Sequence, residues 1–239
     1  PTPQADQRLN PDYLQKIDYQ FIPRNLYHFM IIDQAGDAES NKSRNTDAWA
    51  IGMFGVEPVS DDIGQSKVFI EDLWIEVAGE SEAIDMAVRM YLAAGIVSRL
   101  GVEKVGGSTT HIHISKALRA RGRYVTFDDK ANKMSTGVLL RPAGRNKRKF
   151  IEGSVAWPLN NSKLFYSSEI PSHYIDRLKQ EMSSFPLWHD DGLNALAYLY
   201  DVIKDYHFGP VETEMEKMLK RMNQKTYDPL NFGLRAQNI

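Results

Sequence analysis

The segment NLYHFMIIDQAG (residues 25–36) decides how this chain folds. Leu26 to Ile32 run apolar without the polar alternation of a half-exposed strand, so both faces are expected to be buried and the strand to be central in its sheet. The run stops at Asp33, a carboxylate at the C-terminal end of that strand, which is the edge where open α/β sheets bind ligands. A polar loop follows to Asp47. WAIGMFGV (49–56) and KVFIEDLWIEV (67–77) then read as two more strands, close enough in sequence for hairpin-like links.

Downstream, Ser81 is suited to cap a long helix, Glu82 to Leu100, closed by Gly101. VEKVGGST (102–109) reads as a fourth strand running into a Gly, Ser and Thr loop, IHISKALRARG (112–122) as a helix, and YVTFDD (124–129) as a fifth strand. Residues 131–149 are polar and basic. A helix around 150–157, a short extended KLFYSS (163–168) and a helix at 172–184 come next. In SFPLWHDDGLNALAYLYDVIKDY (184–206), Leu193, Leu196, Ala197, Tyr200 and Ile203 repeat at helical spacing, so a buried helix is expected directly after the pair Asp190 and Asp191. Helices after the third and fourth strands make crossovers, which favour parallel neighbours. The expected fold is α/β, a mixed sheet of five or more strands flanked by helices. Residues 1–25 are expected to be a linker, 26–206 the domain, and 207–239 a charged helix (211–222) and tail.

Composition narrows the chemistry. The chain has 239 residues, 42% hydrophobic and 25% charged, which suits a packed core, and no apolar run suggests a membrane span. Cysteine is absent, so there is no disulfide framework and no thiolate metal site. A net charge of −2 leaves a polyanion to be held by local basic patches. Two such patches exist: Arg119, Arg121 and Arg123, then Arg141, Arg145, Lys147, Arg148 and Lys149. They suit the phosphate backbone of a duplex rather than its base edges. No aromatic interleaving points to single-strand stacking. No phosphate loop of the form GxxxxGK[ST] occurs, so no ATP site is expected.

Asp33, Asp190 and Asp191 can meet above the sheet edge. Clustered carboxylates repel one another unless a cation lies between them, and oxygen-only donors suit Mg²⁺ or Mn²⁺. MIIDQAGDAESNKSRNTDAWAIG (30–52) early and FPLWHDDGLNALAYLYD (185–201) late together resemble the nuclease domain of viral terminase large subunits, a family with an RNase H-like (RuvC-like) fold. Asp33, Gly36 and Asp47 match its early motif, and His189, Asp190, Asp191 and Leu193 to Ala197 its late one.

The resemblance implies a metal-dependent endonuclease of low sequence specificity that cuts double-stranded viral DNA concatemers during genome packaging. Two ions would be held by Asp33 as shared carboxylate and by Asp191 with Asp190 close by, while Asp47 and His189 would steady the ligands. It further implies an N-terminal ATPase domain in the full-length protein, portal and small terminase subunits as partners, and the host cytoplasm as the place of action. The family carries a further acid at the end of the fourth strand. Here Gly106 to Thr109 stand at that place, Glu103 falls at the wrong end of the expected strand, and Asp128 or Asp129 is the expected substitute. Two alternatives stay open: another RNase H-like nuclease such as a resolvase or transposase core, and a non-catalytic DNA-binding or docking module of the packaging motor.

Overall fold

The structure is a computed structural model that describes residues 9–35, 47–57, 65–128, 135–142, 146–204, 206 and 208. Its strands are β1 (Gln15–Ile17), β2 (Tyr27–Asp33), β3 (Trp49–Glu57), β4 (Lys67–Glu76), β5 (Arg99–Glu103), β6 (Phe127–Asp128), β7 (Gly137–Leu140) and β8 (Leu164–Ser167). Its helices are α1 (Glu80–Ala93), α2 (Thr110–Arg119), α3 (Lys147–Asn160), α4 (Ser172–Ser184) and α5 (Asp191–Lys204). The strands form one eight-stranded sheet in the order β1-β8-β4-β3-β2-β5-β7-β6. β2, β3 and β4 pair antiparallel, and β2-β5, β5-β7, β7-β6, β4-β8 and β8-β1 pair parallel. The α/β class and the mixed sheet are as expected, with three more strands than the five counted.

β2 is interior, and Phe29 to Ile32 are essentially inaccessible. Side chains alternate across a sheet, so each strand feeds two cores. Met30 and Ile32 of β2, with Leu100 and Val102 of β5, join Ala83, Ala87, Val88, Ile114 and Leu118 in the layer under α1 and α2. The intervening residues, Ile31 and Asp33 on β2 and Gly101 and Glu103 on β5, therefore face the other layer. There α5 lies along β2, β3 and β5, with α3 and α4 beside it.

Four expectations are corrected. The helix expected at 82–100 stops at Ala93, because Gly95 adopts φ +75°, a left-handed turn that only glycine takes without strain and that ends a helix. The strand after it is therefore Arg99–Glu103, not a run starting at 102. In the polar stretch expected at 131–149, Gly137–Leu140 forms β7, which inserts between β5 and β6; α3 already begins at Lys147. Within the expected linker, β1 extends the sheet beside β8, and Leu9, Leu14 and Ile22 are buried, so those residues belong to the core. The expected helix at 211–222, and Gly36, Asp129 and Arg145, lie outside the described residues.

Candidate metal centre

Ile32 pairs with Val102 in parallel register, so the next residues, Asp33 and Glu103, stand side by side at the C-terminal ends of neighbouring strands. Adjacent strands are about 4.8 Å apart. At that spacing, and on the same face, the two carboxyls are within hydrogen-bonding reach of each other. Both are buried. Burial first, then the hydrogen bond and charge of Glu103, push the Asp33 carboxyl well above its ordinary range.

Glu103 is thus the acid that ends the fourth of the long strands. The expectation that this position lacks an acid is corrected, and the reason is the helix boundary: with α1 ended at Gly95, Glu103 moves from the start of its strand to its end. Asp128, the expected substitute, ends β6 at the sheet margin, three strands from β2 and roughly 14 Å away at ordinary strand spacing, and does not line the cavity described below. His111 and His113 lie in the first turns of α2, where His111 packs edge-on to Phe127 and His113 reaches Glu80 at 3.5 Å.

α5 supplies the third side. Asp190 immediately precedes it and gives its carbonyl to the Asn194 N–H at 2.7 Å, the first bond of the helix. Asp191, the first helical residue, is buried beside the two strand ends. Its Oδ2 accepts from the Ala48 N–H (3.3 Å) and from Arg177 Nη2 (3.4 Å). Burial raises the Asp191 carboxyl, and these two donors only partly offset it. Asp190 turns the other way, its Oδ1 2.7 Å from Lys147 Nζ. The side-chain cap of α5 comes from elsewhere: buried Glu181 of α4 accepts from the Leu193 N–H at 3.0 Å. Gly192 permits this close fit, since a Cβ there would lie 2.7 Å from Ile75 Cδ1 and 3.1 Å from Glu181 Oε2.

The inward face of α5 then carries one polar stripe at helical spacing: Asp191, Asn194 and Tyr198. Asn194 Nδ2 donates to Asp33 Oδ1 at 3.0 Å. The Tyr198 hydroxyl lies 2.7 Å from Glu103 Oε1 and 3.3 Å from the Arg141 carbonyl. One helix thereby contacts both strand-end carboxylates and contributes its own. Sequence reading overlooked Asn194, Tyr198, Arg177 and Glu181; the signal within reach was the polar spacing 191, 194 and 198 inside an otherwise apolar helix.

Asp33, Glu103, Asp190, Asp191, Asp47, His189, Asn194 and Lys147 line one cavity of about 480 Å³. Asp47 is exposed at its rim, and the next residue, Ala48, is the one that steadies Asp191. His189 packs against Trp188. Among the described residues, no three His, Cys, Asp or Glu side chains stand close enough to grip an ion as they are placed. The donor set nevertheless fits a hard divalent ion: it is all oxygen, largely buried, and mutually repulsive without one.

Of the expected basic contacts among the described residues, Lys147 alone lines the cavity. Arg148 pairs with Glu152 at 2.9 Å, and Lys149 is exposed on the same first turn of α3. Arg141 is exposed at the end of β7, near the cavity through Tyr198. Arg119 stacks on Tyr124 and Arg121 Nη1 donates to the Ala117 carbonyl, both at the far end of α2 from the cavity, with exposed Arg123 just beyond.

No family model matches the sequence, and no curated protein matches it. Among solved structures, the chain is similar to the human cytomegalovirus terminase nuclease domain, soaked with manganese and inhibitor-bound, at 15% identity and TM-score 0.52, covering 90% of this chain and 96% of that one. A second structure of the same viral domain gives 14% identity and TM-score 0.50, covering 82% and 93%. The fold is thus the RNase H-like fold of terminase nuclease domains.

Proposed function

We propose that this domain is a divalent-metal-dependent endonuclease for double-stranded DNA, with Asp33, Glu103 and Asp191 as its ligands and Asp190 beside them. The observation that carries the reading is the buried Asp33–Glu103 pair, set side by side by strand register and faced by Asp191. Burying neighbouring carboxylates at the end of a sheet costs stability, and a cation bound between them offsets that cost. The shared fold supports the reading, and the viral domain's manganese soak favours Mg²⁺ or Mn²⁺ here.

Ions bound between these carboxylates, two in the fullest form, would polarise a phosphodiester and supply a nucleophilic water near neutral pH. The chain's own groups do the positioning. Asn194 fixes the Asp33 carboxyl and Tyr198 that of Glu103, while the Ala48 N–H and Arg177 hold Asp191. Lys147, Arg148 and Lys149 crowd the first turn of α3, where a helix dipole favours anions, so a phosphate backbone is the natural complement. Exposed Arg141 directly precedes Pro142, which lines the cavity. The basic groups named here suit phosphates rather than base edges, so cutting is expected to be weakly sequence-specific. In this reading the substrate is concatemeric viral DNA in the host cytoplasm, and an ATPase domain, a portal and a small subunit are the working partners.

The test is nicking of supercoiled plasmid in EDTA, Mg²⁺ or Mn²⁺, beside Asp33→Ala, Glu103→Gln and Asp191→Ala. Cutting should need metal and all three carboxylates. Cutting that survives Glu103→Gln removes Glu103 from the ligand set; DNA retention without any cutting favours a binding module.

A further inference from the structure

Lys147 sits where the dipole of its own helix would not put it. It opens α3, at the helix end that repels cations, yet it is half-buried. Its ammonium is 2.7 Å from Asp190 Oδ1, and it is the one lysine or arginine lining the acidic cavity among the described residues. The other carboxylates have neutral or backbone partners available, Asn194 for Asp33, Tyr198 for Glu103 and the Ala48 N–H for Asp191. Lys147 is therefore the positive charge on the cavity side of the cluster. Arg177 meets Asp191 from α4, behind it, where it also reaches Glu181 and the Ile75 carbonyl.

We propose that Lys147 is a resident counter-ion of the metal centre, which partly neutralises the carboxylate cluster through Asp190 and competes with a divalent ion for it. The inference rests on the metal-dependent reading above and adds a sign to it. A ligand or a ligand-positioning residue strengthens metal binding, whereas a competing cation weakens it. Two cations within a few ångströms in a half-buried cavity repel substantially, so the ion must displace the ammonium or tolerate it. Either way the chain carries a built-in threshold for metal loading. An incoming DNA phosphate lowers that threshold, because it offers the ammonium another anion.

The experiment is titration of the full chain with Mn²⁺ without DNA, following the free-ion electron paramagnetic resonance signal, for wild type, Lys147→Met, Lys147→Arg and Asp33→Ala. Lys147→Met should bind Mn²⁺ about 3- to 10-fold more tightly than wild type, as expected for removing one nearby unit charge, and Lys147→Arg should stay close to wild type. The gain should shrink as salt is raised. Unchanged or weaker Mn²⁺ binding in Lys147→Met, with circular dichroism showing the fold intact, overturns the competition alone. Wild type that binds no more Mn²⁺ than Asp33→Ala overturns the metal reading, and this inference with it.

Discussion

Replacing Glu181 by Gln should change the pH dependence of stability more than stability itself. Glu181 is fully buried on α4, with Oε2 on the Leu193 N–H at 3.0 Å. Its Oε1 has no hydrogen-bond partner, Arg177 Nε standing off at 3.7 Å. Burial, with the Asp191 charge adding to it, pushes the carboxyl from 4.5 to about 8. Between those values the unfolded chain releases a proton that the folded chain keeps. Stability is therefore fully present below about pH 4.5 and is lost as pH rises towards 8. At 1.36 kcal/mol per unit over a gap of about 3.5, the whole loss is ~5 kcal/mol, an upper figure for a site that can relax. Glutamine keeps the acceptor for Leu193 and has no proton to lose, so its curve should lack the fall. Urea unfolding of both proteins in EDTA at pH 4.5, 6, 7.5 and 9 measures this. We expect near-equal stability at pH 4.5 and a variant ahead by roughly 3–5 kcal/mol at pH 9. Parallel curves would refute a protonated Glu181 and leave an ionised one held by Arg177.

Further predictions concern the carboxylate pair and the helix above it. Glu103→Gln should raise metal-free stability by about 1–2 kcal/mol, by removing repulsion against Asp33 while keeping an acceptor for Tyr198, and should abolish stabilisation by Mn²⁺; thermal melts with EDTA or Mn²⁺ decide, and a lower metal-free melting temperature counts against it. Because Asp33 is raised by burial and by Glu103, a bound ion competes with the Asp33 proton, so Mn²⁺ affinity should rise with pH; a flat or inverted pH dependence contradicts this. Tyr198→Phe should cost about 1 kcal/mol and slow cutting roughly 3- to 10-fold by freeing Glu103, and an unaltered cutting rate would count against that role. Gly192→Ala should cost about 1–3 kcal/mol by driving α5 from Ile75 and Glu181, and a variant as stable as wild type in urea would show that this contact can relax.

Much of this centre is legible in the sequence because it follows from strong local signals. The unbroken apolar run ending in Asp33 specifies a central strand and the edge at which the acid stands. The helical spacing after Asp190 and Asp191 likewise specifies a buried helix with acids at its start. Glu103 was misplaced by a single boundary. The apolar spacing of α1 continues through Leu92, Ile96 and Leu100, and periodicity alone carries a helix across Gly95 and into β5. Strand β7 is four residues long inside a polar stretch, and its assignment depends on pairing with β5, a contact that no local pattern encodes. The same holds for Asn194 and Tyr198, whose importance lies in what stands opposite them, on strands far away in sequence.

That separation also sets an order in time. The three acids come from residues 33, 103 and 191, and the helix that aims two of them is the last of the described elements to be synthesised. At about 5–20 residues per second, Asp33 waits roughly 8–30 s on the ribosome before Asp191 is joined to the chain. Until then the sheet edge carries two carboxylates with no Asn194 or Tyr198 to fix them and no third ligand to complete them. Under the proposed nuclease reading, a nascent chain at this stage is expected not to cut nearby DNA, whatever the metal concentration. Activity, on the same reading, switches on only once α5 docks.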